Sequence, residues 1–202
     1  MNKLKIINTC FIVLYIGIMF FQLMNYGSTM TTSKILTTLA IIPVTAGPFL
    51  IKKILKYEMS ETLKIFYYLF VLIALILGSI LGWYYKIGWF DLFAHLISGI
   101  MMMIVALIIL KKNHLLKKKL KWFHIIFMIA FGLMIASFWE FFEFASDNIL
   151  GGDTQWVKET GVDDTMEDML IAFLGSILFC IYYFIEVQVK KDKFMKKLDQ
   201  VL

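Results

Sequence analysis

The chain alternates long apolar runs with short charged stretches. Six runs stand out: 6–24, 35–51, 65–85, 92–110, 122–145 and 169–187. Each has about the 17–25 residues that a helix rising 1.5 Å per residue needs to cross a ~30 Å hydrocarbon core. None alternates apolar with polar positions, which excludes the strands of a membrane barrel and leaves helix as the spanning structure. The pattern predicts an all-α polytopic membrane bundle of six transmembrane helices. It forms a single transmembrane domain over 1–202, with one sizeable extramembrane loop, 146–167.

Two runs need separate comment. The second holds both prolines, Pro43 and Pro48, with Gly47 before the latter. Each proline removes a backbone donor, so a kinked helix is expected, with the Thr45 hydroxyl placed to satisfy a freed carbonyl. The kink reads either as packing or as a hinge. The first run follows a basic start, Met1–Lys5, in the manner of a signal peptide. It is long for that role and no small-x-small cleavage site follows, so a retained first helix is expected.

Composition supports this reading. Apolar residues make up 60% of the 202 positions, and the net charge is +5. All the basic residues are lysines flanking apolar runs, which points to anionic lipid rather than nucleic acid. With the N-terminus inside, seventeen lysines fall in the inner segments 1–5, 52–64, 111–121 and 188–202, and Lys34, Lys86 and Lys158 fall outside. That asymmetry predicts an N-in/C-in topology, with the lysine-rich segments against an anionic inner leaflet. Trp83, Trp89, Trp139 and Trp156 then lie near the outer interface and Trp122 near the inner one. Cys10 and Cys180 sit within apolar runs without paired spacing and read as small buried hydrophobes. His114 and His124 flank the basic inner loop without nearby carboxylates and read as surface residues.

The acidic residues sort the other way. Ten of the fifteen lie outside: Asp91, Glu140, Glu143, Asp147, Asp153, Glu159, Asp163, Asp164, Glu167 and Asp168. Positive-inside bias does not account for them, because Asp and Glu contribute little to topology. Asp91 and His95 are spaced i, i+4 on the fourth run, with Asp91 at about the N-cap. Glu140, Glu143 and Asp147 share a face of the fifth, and Asp164 and Asp168 a face of the sixth. The three stripes fall at one depth beneath the outer interface. A carboxylate at the bilayer centre costs about 2.5–3.5 kcal/mol, so these side chains are expected to face the bundle interior. Close carboxylates repel one another, so either some are protonated or a cation sits among them, and a bound divalent metal relieves the repulsion. Oxygen donors with one imidazole suit Mn, Fe, Mg or Zn. The candidate ligands are Asp91, His95, Glu140, Glu143, Asp164 and Asp168, with Glu140 and Glu143 as candidate catalytic groups. The competing structural reading is a polar plug holding three helices together. Gly99, Gly132, Gly175, Ser98 and Ser176 lie beside the cluster and allow close helix approach. Asp153, Glu159 and Glu167 read as solvated. The Met101–Met103 triplet reads as lipid-facing or packing filler.

The order D-x-x-x-H-x-x-S-G, W-E-x-x-E, D-D-T-x-x-D-x-x-x-x-x-x-G, from Asp91 to Gly175, resembles the YjdF-like family of bacterial inner-membrane proteins. That resemblance implies a multi-pass inner-membrane protein, supports the polar residues as a set and implies no particular activity. A looser similarity to VanZ-like membrane proteins departs at Glu143, where a Gln is expected, and in the connecting loop, which lacks the usual Arg. Three functions follow from the residues. The first is a metal-dependent membrane hydrolase acting on a lipid or cell-envelope substrate. The second is a non-catalytic scaffold that binds an envelope component. The third is a cation or proton transporter, weakened by the scarcity of polar residues in the inner half of the bundle and by the lack of an inverted repeat.

Overall fold

The computed structural model describes residues 3–189, all helical apart from turns and loops, and the basic tail 190–202 used in the topology argument lies outside them. Five helices are long and apolar enough to cross a membrane: 3–26, 61–80, 90–112, 121–150 and 163–187. A sixth span is possible if the bent pair 32–45 and 47–54 counts as one. The described residues form two compact units, divided at Gly88.

The first unit holds α1 (Lys3–Tyr26), α2 (Thr32–Leu39), α3 (Ile41–Thr45), α4 (Gly47–Leu55), α5 (Glu61–Val71), a π-helical continuation of α5 (Leu72–Ile80) and α6 (Trp83–Lys86). Its core is Tyr15, Met19, Ile41, Tyr68, Val71 and Ile76. The expected kink is a 54° bend between α3 and α4. Thr45 does not repair it, for its buried hydroxyl has no hydrogen-bond partner. The repair comes from α5. Tyr67 Oη donates to the Val44 carbonyl at 2.6 Å, the acceptor that Pro48 cannot serve, and Tyr68 Oη donates to the Thr45 carbonyl at 3.2 Å. A side chain at Gly47 would run into the Tyr67 hydroxyl and push it off this hydrogen bond. Held from both sides, the bend reads as packing. The third span begins at Glu61 and stops before Gly82, whose φ of 71° breaks it, so Tyr85 belongs to a separate turn. Cys10 is exposed on α1, while Cys180 is buried as expected.

The second unit holds α7 (Phe90–Lys112), α8 (Lys121–Leu150), α9 (Val157–Thr160) and α10 (Asp163–Val189). The three long helices pack pairwise. One stripe of α10, Asp168, Ala172, Ser176, Cys180, Tyr183 and Val187, is buried throughout at spacings of three and four. Small residues set the distance between helices. A side chain at Gly99 would collide with the Ala172 carbonyl, and one at Gly175 with the Leu96 carbonyl. Gly132 faces Met103 and the Ser176 hydroxyl. Met103 is fully buried, a packing residue of the methionine triplet.

His124 corrects the surface reading. It is 0% exposed. Its Nδ1 lies 2.6 Å from Tyr183 Oη and its Nε2 2.9 Å from the Leu115 carbonyl. The loop before α8 folds back to supply that carbonyl, and the first turn of α8 faces α10. Removing the hydroxyl in Tyr183→Phe strands a buried ring nitrogen. It is expected to destabilise the protein by about 1–3 kcal/mol, read as a lowered midpoint of thermal unfolding in detergent. An unchanged midpoint would show the contact to be dispensable.

Candidate metal centre

The helices bring the acidic stripes together at one end of the second unit. α7 and α10 both start there, so the positive ends of two helix dipoles face the carboxylates. Asp91 is not the N-cap of α7. Trp89 holds that position, and Asp91 sits in the first turn. α8 arrives from the opposite direction and continues to Leu150, past the expected end at 145, so Glu140 lies nearly three turns inside it. α10 starts at Asp163, six residues before the apolar run, which places Asp168 a little more than one turn inside it. The loop expected over 146–167 is therefore short, spanning 151–162.

Two overlapping groups result. Asp91, His95 and Asp168 offer ligand atoms within 4.8 Å of one another, and Glu140, Glu143 and Asp168 do the same. His95 Nε2 lies 3.5 Å from Asp91 Oδ1 and 3.4 Å from Asp168 Oδ2. These separations exceed the usual 2.7–3.2 Å or so of a direct hydrogen bond. They match the distance of about 3.4 Å between two ligand atoms that each sit about 2.1 Å from a tetrahedral ion. Asp168 is 2% exposed and Glu140 4%. Among the described residues no lysine stands against either group; Lys52 pairs with Glu58 and Lys64 with Glu61. The donor set and its spacing fit a divalent cation.

Asp164 belongs to neither group. It lies within electrostatic range of Asp91 and Glu140, and its Oδ2 is buried without a hydrogen-bond partner. Glu143 accepts a hydrogen bond from Trp139 Nε1 at 3.0 Å, one turn back on the same helix. The Ser98 hydroxyl donates to the His95 carbonyl at 2.8 Å rather than to the ring.

Asp147 shares the stripe of Glu140 in sequence yet plays a different part. It accepts hydrogen bonds from Thr154 N, Thr154 Oγ1 and Gln155 N, at 2.7–3.2 Å. Gly151, at φ 71°, ends α8 and donates its N–H to the Asp147 carbonyl at 2.9 Å. Together they turn the loop back over the cluster.

That turn delivers Gln155, a residue the sequence did not single out. It is 6% exposed. Its Nε2 donates to Glu140 Oε2 at 3.2 Å, to the Glu140 carbonyl at 3.3 Å and to Thr165 Oγ1 at 3.0 Å. A carboxylate oriented by an amide in this way is typical of a group that supports a metal or a reaction. The only available hint was a glutamine amid aspartates in an otherwise acidic loop.

A multi-helix apolar bundle with a sunken carboxylate–imidazole cluster defines an α-helical, multi-pass membrane protein. The family model described as "Predicted membrane protein (DUF2238)" matches residues 7–188, and the chain belongs to that family. No curated protein and no solved structure matches it.

Proposed function

We propose that the protein is a metal-dependent membrane hydrolase whose substrate is an ester of a lipid head group or cell-envelope precursor. The observation that carries this reading is the convergence of Asp91, His95, Glu140, Glu143 and Asp168 from three helices, in two groups whose ligand atoms lie within 4.8 Å. A polar plug would satisfy its members by hydrogen bonds among themselves, and carboxylates cannot donate to each other when ionised. A divalent cation of the Mn, Fe, Mg or Zn type relieves that repulsion, polarises a phosphoryl or carbonyl oxygen and acidifies water.

Asp91, His95 and Asp168 are the core ligands in this reading. A carboxylate of the Glu140–Glu143 pair takes a proton from water as the water oxygen bonds to the ester phosphorus or carbon. The ester bond to the leaving oxygen breaks, and the proton passes to that oxygen. Gln155 and Trp139 hold the two glutamates in place. The lysine asymmetry puts this end at the outer face of an N-in/C-in protein, with the lysine-rich loops on anionic inner-leaflet lipid. The resemblance to YjdF-like proteins favours a bacterial cytoplasmic membrane. Transport has less support, because Met103, Met128 and Cys180 form an apolar layer between the cluster and the buried His124–Tyr183 pair.

Glu140→Gln tests the proposal. Detergent-purified wild type is expected to hold Mn2+ and to release head groups from phospholipid in mixed micelles. The variant should lose at least about 100-fold in rate while its unfolding midpoint does not fall. Hydrolysis indifferent to both chelation and this substitution would remove the enzyme reading.

A further inference from the structure

The two ligand groups share one residue, and among the described residues the second group has no cationic partner that would neutralise it. Asp91, Glu140, Glu143 and Asp168 are four carboxylates around a single imidazole. One divalent cation in the Asp91–His95–Asp168 group would leave half of that negative charge uncompensated among residues that are mostly buried. Asp168 belongs to both groups, and a carboxylate has two oxygens to offer. It is 2% exposed and accepts no hydrogen bond among the described residues; its one polar contact is His95 Nε2 at 3.4 Å. A buried carboxylate free of hydrogen bonds and placed between two donor sets has the position of a bridging ligand.

We infer that the protein binds two divalent cations, one held by Asp91, His95 and Asp168 and the other by Glu140, Glu143 and Asp168, with the Asp168 carboxylate bridging them. The inference rests on the metal-centre reading above and extends it. Two divalent ions balance the four carboxylates without recruiting a lysine. Carboxylate-bridged pairs in hydrolytic sites stand about 3.5–4 Å apart and clamp the two oxygens of a displacement at phosphorus, which narrows the substrate class to phosphate esters. Glu140 and Glu143 would then act through the second ion. Asp164, with its buried, partnerless oxygen, becomes the carboxylate left to accept the proton.

Metal stoichiometry of the detergent-purified full chain tests this. The protein is dialysed against Mn2+, desalted and assayed for manganese, and its electron paramagnetic resonance spectrum is recorded. The expected result is two Mn2+ per chain with the signal of a spin-coupled pair. His95→Ala and Glu143→Gln should each reduce the content to one and restore the six-line signal of an isolated ion. One Mn2+ in the wild type, or two without coupling, overturns the bridge while sparing a single-metal site. None overturns both readings. Two Mn2+ that persist in both variants overturn the assignment to these residues. The wild-type measurement decides even if a variant does not fold.

Discussion

Replacing Asp168 by Asn is expected to abolish metal binding and, at the same time, to raise the unfolding midpoint of the metal-free protein. The two effects share a cause. Asp168 sits 2% exposed between Asp91 and His95 on one side and Glu140 and Glu143 on the other. Without a cation, Asp168 must either hold a charge among like charges or take up a proton to quench it, and relieving that is worth on the order of 2 kcal/mol. For a chain of this size that corresponds to roughly 4–8 °C. With the cation, the sign reverses. Wild type in Mn2+ at about 100 times its dissociation constant should gain about 2.7 kcal/mol for each ion bound, and the variant should gain nothing. Thermal unfolding with and without Mn2+, on both proteins, reads all four states. A polar plug predicts the opposite pattern: the variant loses stability and Mn2+ shifts neither protein. That outcome would discard the metal centre.

Gly175→Ala carries the second large effect. Its new methyl would meet the Leu96 carbonyl, and the equivalent change at Gly99 would meet the Ala172 carbonyl. Both obstacles are backbone, which cannot swing aside as a side chain does. α7 and α10 must therefore separate, at the upper end of the ~1–3 kcal/mol typical of overpacking. The damage reaches the site because Leu96 follows His95, and Ala172 lies one turn below Asp168. A shift on the order of 1 Å between His95 and Asp168 should weaken Mn2+ binding and cut hydrolysis by roughly 100-fold. Gly17→Ala is the control, since nothing lies within 4 Å of its new methyl; neither stability nor metal should fall. Equal behaviour of the two variants would show that close approach of α7 to α10 does not position the site.

The helical class, five of the apolar spans and the grouping of acidic residues into stripes were legible along the chain because each depends on local spacing. A run of about twenty apolar residues must be helical in lipid, and residues three or four apart share a face. Asp91 with His95, and Glu140 with Glu143, are therefore readable as pairs, and the glycines beside them as contact points. The helix ends were less legible. α8 runs on to Leu150 because Gly151, rather than the hydrophobic boundary, supplies the left-handed cap, and a hydropathy pattern marks the membrane rather than the helix.

Tertiary structure decided the rest, and each case joins residues far apart in sequence. Tyr67 covers the Val44 carbonyl, where Thr45 was expected to serve a freed carbonyl. Tyr183 and Leu115 bury His124. Asp147 leaves the cluster to fold a loop, and that loop brings in Gln155. Asp168 becomes common to two donor groups only through the mutual rotation of α7, α8 and α10. Helical periodicity says which side chains share a face. It is silent on which face meets which neighbour, because that depends on where backbones can touch, here at Gly99 and Gly175.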